Sequence, residues 1–130
     1  GEWRFARAIA DRLAGQALSA EGRAWLTPGG GGLTYREEAE LLIPGQVPMR
    51  AERAYLWRFD GAEVEVRFDD GRPFHRFRPE GRGEGTAHPC GADLYRVTYD
   101  FTAWPAWQAV WTVTGPRKDY TSETRYWRAD

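Results

Sequence analysis

Large side chains alternate with polar ones along most of this chain. The alternation runs near residues 2–11, 17–27, 32–43, 49–60, 62–70, 73–78, 85–90, 93–102, 106–115 and 118–128. A period of two residues is the signature of a half-buried strand, because successive side chains point to opposite faces. Turn signals separate the runs: Pro28-Gly29-Gly30-Gly31-Gly32, Pro44-Gly45, Asp60-Gly61, Asp70-Gly71, Pro79 to Gly85, Cys90-Gly91 and Gly115-Pro116. Residues 9–17 are the exception. Asp11, Arg12, Leu13 and Ala14 favour helix, so one short helix is expected there before Gly15 stops it.

Short antiparallel strands in close succession imply a sandwich or a barrel. No long crossover connection interrupts them, and closure removes the exposed edges of a meander. The expected fold is therefore all-β: an antiparallel up-and-down barrel of roughly eight to ten strands, in one domain over residues 1–130. The glycine run 29–32 reads as a flexible hairpin tip. A strand pattern that begins at Gly1-Glu2-Trp3 suggests that a short natural N-terminus precedes it.

The inward face follows from where the bulk lies. It takes Trp3, Phe5, Arg7 and Ile9; Leu33, Tyr35, Glu37, Ala39 and Leu41; Arg53, Tyr55, Trp57 and Phe59. Val64, Val66 and Phe68 follow, with Glu63, Glu65, Arg67 and Asp69 outside. The later strands add Tyr95, Val97, Tyr99 and Phe101; Trp107, Ala109, Trp111 and Val113; Lys118, Tyr120, Tyr126 and Arg128. Arg7, Glu37, Arg53, Asp93, Lys118 and Arg128 thus share faces with aromatic residues. Glu37 is expected to pair with Arg53 on the neighbouring strand, which leaves Arg7, Lys118 and Arg128 over. Two readings stay open for these cations. They snorkel at wet barrel rims, or they receive an anionic or strongly polar group of a small ligand.

Composition narrows the partners. The chain has 130 residues, 15 % aromatic residues and a formal net charge of −1, so no bulk field attracts nucleic acid or an anionic membrane. The lone Cys90 gives no disulfide framework, and no stretch is apolar enough to span a bilayer as a helix. Cytoplasmic placement is the default expectation, with no nucleic-acid or membrane partner; a homodimer stays open.

The candidate chemistry is of three kinds. A binding cavity would use Arg53, Tyr55, Trp57, Tyr95, Tyr99, Trp111, Lys118, Tyr120, Tyr126 and Arg128, with Trp107 in the wall, and an apolar ligand with an anionic or polar head is expected. An isomerase, cyclase or hydrolase would instead use Glu37, Asp93 or His75 as acid or base, since a carboxylate among aromatics has a raised pKa. His75, His88 and Cys90 are the only soft metal ligands. Without CxxC or HExxH spacing they make no recognisable zinc site, and no bound cofactor is expected. Haem held by His75 or His88 remains an alternative, as does simple hydrogen bonding of both rings. Asp69-Asp70-Gly71-Arg72-Pro73-Phe74-His75 is accounted for as a hairpin turn, although Arg72 and His75 would also suit a barrel mouth. No phosphate loop is present, because Gly29–Gly32 is not followed by Lys-Ser/Thr, and no Ser-His-Asp pattern is recognisable.

Two resemblances add to this reading. Gly1-x-Trp3 on the first strand, with Arg128 on the last, resembles the lipocalin and fatty-acid-binding-protein (calycin) superfamily. In those barrels an arginine covers the tryptophan and closes one end, a cation–π contact worth on the order of 1 kcal/mol. Tyr126-x-Arg128 is similar to the carboxylate-holding pair of the fatty-acid-binding proteins in reversed order. Over nearly its whole length the chain also resembles an uncharacterised bacterial family, domain of unknown function 6314. The segments that carry this are Tyr35-Arg36-Glu37-Glu38, Arg53-Ala54-Tyr55-Leu56-Trp57, Phe68 through His75, His88-Pro89-Cys90, Asp93-Leu94-Tyr95 and Gly115 through Tyr120. That resemblance implies no activity.

Overall fold

Backbone pairing organises the molecule. The structure is a computed structural model and describes residues 1–129. Eleven strands follow one another: β1 (Glu2–Asp11), β2 (Gln16–Gly29), β3 (Gly32–Leu42), β4 (Met49–Asp60), β5 (Glu63–Phe68), β6 (Pro73–Phe77), β7 (Arg82–Glu84), β8 (His88–Cys90), β9 (Asp93–Asp100), β10 (Trp107–Gly115) and β11 (Lys118–Arg128). They form one sheet in the order β6-β5-β4-β3-β2-β1-β11-β10-β9-β7, with β8 also on β9. Every pairing is antiparallel, and β1 against β11 joins the two ends of the chain. This is the expected up-and-down barrel, nearly closed.

The expected helix near 9–17 is absent. Ile9 and Ala10 are held in β1 by partners on both sides, Leu18 and Ala17 on β2 and Ser122 and Thr121 on β11. The Asp11 carboxylate then accepts the backbone N–H groups of Leu13 and Ala14, each at 3.1 Å. That local cap makes a tight turn of residues 12–15, and two flanking ladders outweigh a weak helix propensity. The glycine run is a defined hairpin: Gly30 and Gly31 both have positive φ (58° and 78°), as a two-residue primed turn requires, and Gly29 pairs with Gly32.

Closure depends on the short link between β7 and β8. Those two strands lie on the free edge of β9, and residues between them face β6. Gly85 N–H donates to the Val97 carbonyl (3.0 Å), Thr86 N–H to the Arg76 carbonyl (2.9 Å), and Arg76 N–H to Thr86 Oγ1 (2.9 Å). Gly85 fits there because it lacks a Cβ, which would lie 2.8 Å from Val97 Cγ1 and 2.9 Å from the Arg76 carbonyl oxygen.

One end of the barrel is sealed. Trp3 is buried, its indole N–H donates to the Pro105 carbonyl at 2.8 Å, and Trp104 from the β9–β10 loop packs 5.7 Å from it. Arg128, the register partner of Trp3 across β1 and β11, sits 5.0 Å over the same ring. Above this floor the core is aromatic: Phe5, Tyr35, Trp57, Phe77, Tyr99, Phe101, Trp107 and Tyr126 are buried with Val64, Val66 and Val97. Each such side chain contributes about 1.5–3 kcal/mol by leaving water. Phe59, expected inside, is 59 % exposed near the end of β4. No helix among the described residues is long and apolar enough to cross a membrane.

The seam makes a paired test. Gly85→Val should destabilise the protein by roughly 1–3 kcal/mol, since the added Cβ forces the link away from Val97 and the Arg76 carbonyl. Gly83→Ala, where an added Cβ meets nothing within 4 Å, should stay within about 0.5 kcal/mol in urea unfolding.

Candidate functional site

Small side chains opposite large ones leave space above the aromatic floor. Ala20, Ala39, Ala51 and Ala109 project into the barrel among Tyr55, Trp57, Tyr99, Trp107 and Trp111, and the resulting cavity holds about 410 Å³. That is a small-ligand volume. Its upper rim carries Ile9, Asp11, Leu18, Leu41 and Tyr120, all partly exposed, so the cavity opens opposite the Trp3 floor.

A single polar seam crosses this interior. Arg7 forks onto Glu37, with Nη1 donating to Oε2 and Nη2 to Oε1, both at 2.9 Å, and its Nε donates to Thr124 Oγ1 at 2.7 Å. The Tyr35 hydroxyl donates to Glu37 Oε1 at 2.7 Å, and the Tyr126 hydroxyl lies 2.8 Å from that of Tyr35. Arg53 reaches Glu37 Oε2 only at 3.4 Å through Nε, and half of its side chain is exposed. Arg7 and Glu37 are 8 % and 3 % exposed, so a charge pair that would be costly alone is compensated within the seam.

The expected pairing is therefore corrected. Glu37 does meet Arg53, its register partner, but its principal partner is Arg7, two strands away. Arg7 reaches across β2 because the inward residues there are the alanines Ala20 and Ala24. The expectation of a raised carboxylate pKa is overturned for the same reason. Burial alone would raise the Glu37 pKa, but Arg7 outweighs it with help from Arg53 and Tyr35, and the net direction is down. Glu37 is ionised and fully hydrogen-bonded, which does not suit a proton-transfer group at neutral pH.

The aromatic wall stands across the cavity. Phe74 stacks on Trp111 at 5.0 Å, and the His75 ring meets Trp111 edge-on at 4.9 Å. Phe74 and His75 are adjacent in sequence yet both line the cavity, because a register shift between β5 and β6 at Val66 and Arg67 breaks the alternation. His75 Nε2 is 2.8 Å from the Tyr99 hydroxyl. Burial, and then the nearby His88, push its pKa down to about 3, so the ring is neutral. Burial raises the pKa of Tyr35, Tyr99 and Tyr126, which keeps these phenols protonated. Nδ1 of His75 and Nε1 of Trp107 are buried without a hydrogen-bond partner among the described residues.

Of the residues singled out in the sequence, the cavity gathers Arg53, Tyr55, Trp57, Tyr95, Tyr99, Trp111, Tyr120 and Tyr126, together with Glu37 and His75. Others lie elsewhere. Arg128 is under the floor over Trp3, so it cannot form a ligand pair with Tyr126. Lys118 is exposed at the rim, where Nζ donates to the Tyr95 hydroxyl at 2.9 Å and lies 3.5 Å from Asp93. Asp93 is thereby a rim group. His88 packs against Phe74 and Phe68 behind the wall, and Cys90 is exposed. No three His, Cys, Asp or Glu side chains among the described residues are grouped as metal ligands. Ala39 and Ala109 face inward as expected, whereas Thr124, Phe74, Ala20 and Ala51 were not among the expected lining. An alanine gives no local sign that it makes a cavity.

Two buried groups give acidification a readable sign. Folding lowers the Glu37 pKa from 4.5 and the His75 pKa from 6.5, so both contributions are complete above the unfolded values and vanish as pH falls. Stability should decline from about pH 6.5, with a slope approaching about 1.4 kcal/mol per pH unit from His75 alone. His75→Gln should flatten the decline between pH 6.5 and 4.5, and Glu37→Gln the part below 4.5, in urea titrations at stepped pH. Because it strands Arg7, Glu37→Gln should also cost about 3–5 kcal/mol at pH 7.

Comparison with known proteins supports the fold. The chain is similar to the S-type phycobiliprotein lyase CPES from Guillardia theta, with a TM-score of 0.67 and 11 % identity over 100 % of this chain and 88 % of that one. A weaker likeness, TM-score 0.33 at 11 % identity, covers 99 % of this chain and 51 % of an AttH-type protein from Nitrosomonas europaea, and nothing rests on it. No curated protein matches the sequence. The barrel is thus of the calycin-like kind that Trp3 and Arg128 suggested. The profile of the family of unknown function DUF6314 matches residues 1–128, and the chain belongs to that family.

Proposed function

We propose that the barrel binds a small molecule with a flat apolar body and an anionic head, and that Arg53 receives the head. One observation carries this: Arg53 is the cavity's unsaturated cation. Arg7 has its fork filled by Glu37 and its Nε by Thr124, and Lys118, outside the cavity lining, is held by Asp93 and the Tyr95 hydroxyl. Arg53 keeps one long contact and a half-exposed fork beside Tyr55. Desolvation works against its charge, but Glu37 and Tyr55 more than offset it, and its pKa rises. A planar guanidinium with free N–H groups matches a carboxylate.

The wall suits the body of such a ligand. Trp111, Phe74 and Tyr99 line the cavity together with the small alanine side chains, a lining that suits a planar group more than a coiled acyl chain. The Tyr120 phenol, close to Arg53 at the open end and with its pKa raised by burial, offers a neutral donor beside the head.

Calorimetric titration with aromatic and aliphatic monocarboxylates tests the reading. An aromatic acid should bind, and Arg53→Ala should weaken it by roughly 10- to 100-fold, the loss of a charge-assisted contact of about 1.5–3 kcal/mol. Arg128→Ala should leave binding unchanged. If no carboxylate binds, or if Arg53→Ala binds as tightly as wild type, the reading fails.

A further inference from the structure

The hydrogen bonds of the polar seam have a fixed direction. Glu37 is a carboxylate and can only accept, so the Tyr35 hydroxyl must spend its one proton on it. The 2.8 Å contact between Tyr35 and Tyr126 then has only one polarity: Tyr126 donates and Tyr35 accepts. Tyr126 has thereby used its only proton. What its oxygen has left is lone-pair capacity, so it can accept a bond from a ligand and cannot donate one. The relay ends on a negative charge, which draws both protons toward Glu37 and strengthens the Tyr126 oxygen as an acceptor. Glu37 is not available for that task. Oε1 takes Arg7 and Tyr35, and Oε2 takes Arg7 and Arg53.

The seam therefore has two open ends of opposite character. Arg53 at one end carries N–H groups and wants an acceptor. Tyr126 at the other, stacked on Trp107 at 3.7 Å and buried, presents an oxygen that wants a donor. Both residues line the same cavity. We propose that Tyr126 is a specificity-determining residue: its oxygen accepts a bond from a hydroxyl or N–H group on the ligand, so that the barrel takes acids bearing a donor remote from the carboxylate. This inference rests on the small-acid reading above and goes beyond it by assigning the second polar contact and its polarity. A buried acceptor left unpaired opposes ligands that lack the donor, which is how a site built around a hydrogen bond discriminates.

The test uses the intact protein and three probes: a naphthoate with a hydroxyl on the ring opposite the carboxylate, the same acid with a methoxy group there, and plain naphthoate. In wild type the hydroxy acid should bind about tenfold more tightly than either of the others. Tyr126→Phe, which keeps the ring on Trp107, should abolish that preference with little effect on plain naphthoate. Tyr35→Phe should act on the methoxy acid instead. It frees the Tyr126 proton to donate as well as accept, so the methoxy acid should tighten and the preference narrow from that side, a gain that a steric role for Tyr126 would not produce. Equal binding of all three probes to wild type, dependent on Arg53, would overturn the inference and leave the small-acid reading standing. Should Tyr126→Phe not fold, the wild-type comparison and Tyr35→Phe still decide. If none of the probes binds, both fall together.

Discussion

An ionised carboxylate inside an aromatic barrel is the constraint around which the interior is arranged. Glu37 is almost wholly withdrawn from water, so the neighbouring strands supply donors until its oxygens are full. Arg7 comes from β1, Tyr35 from β3 and Arg53 from β4, and Thr124 on β11 steadies the Arg7 fork. Four strands are thus locked in one register by one charge. A slip of one residue on any of them would turn its contribution outward and leave the rest uncompensated.

The same arrangement separates structural polarity from available polarity. Most charged groups that the sequence places on inward faces are consumed by neighbours: Arg7 by Glu37, Lys118 by Asp93 and Tyr95, Arg128 by the Trp3 ring. What remains is small and has direction, a half-free guanidinium on β4 and an oxygen lone pair on β11. The ring wall adds shape and little polarity: His75 is neutral with Nε2 turned to Tyr99, and only its Nδ1 and Trp107 Nε1 are left unpaired among the described residues.

The fold was legible in the sequence because strand alternation is a local signal and the turns are chemically marked. Trp3 with Arg128 even indicated which end is closed. The site was only partly legible. Arg7 and Glu37 could be seen as inward charges, but their pairing spans β2, and the alanines that permit it look like any small residue. The shift of register beside Arg67 put Phe74 and His75 in the cavity together, which no period-two reading anticipates. The missing helix at residues 9–17 failed for a different reason. A short helical preference has no defence against two complete ladders, and the Asp11 side chain favours the turn.

The link at Gly85 and Thr86 has a consequence for motion. Continuous ladders from β4 through β1 and β11 to β9 hold most of the barrel, whereas here three hydrogen bonds at Gly85 and Thr86 link β6 to the edge of β9. Local opening starts where such ties are fewest, so the amides of Gly85, Thr86 and Arg76 are the ones that should trade protons with solvent earliest. Phe74 and His75 stand on one side of that cleft and Tyr99 on the other, all on the cavity wall. Whatever fills the cavity therefore braces the cleft from within, and slowed exchange at these three amides becomes a backbone record of occupancy.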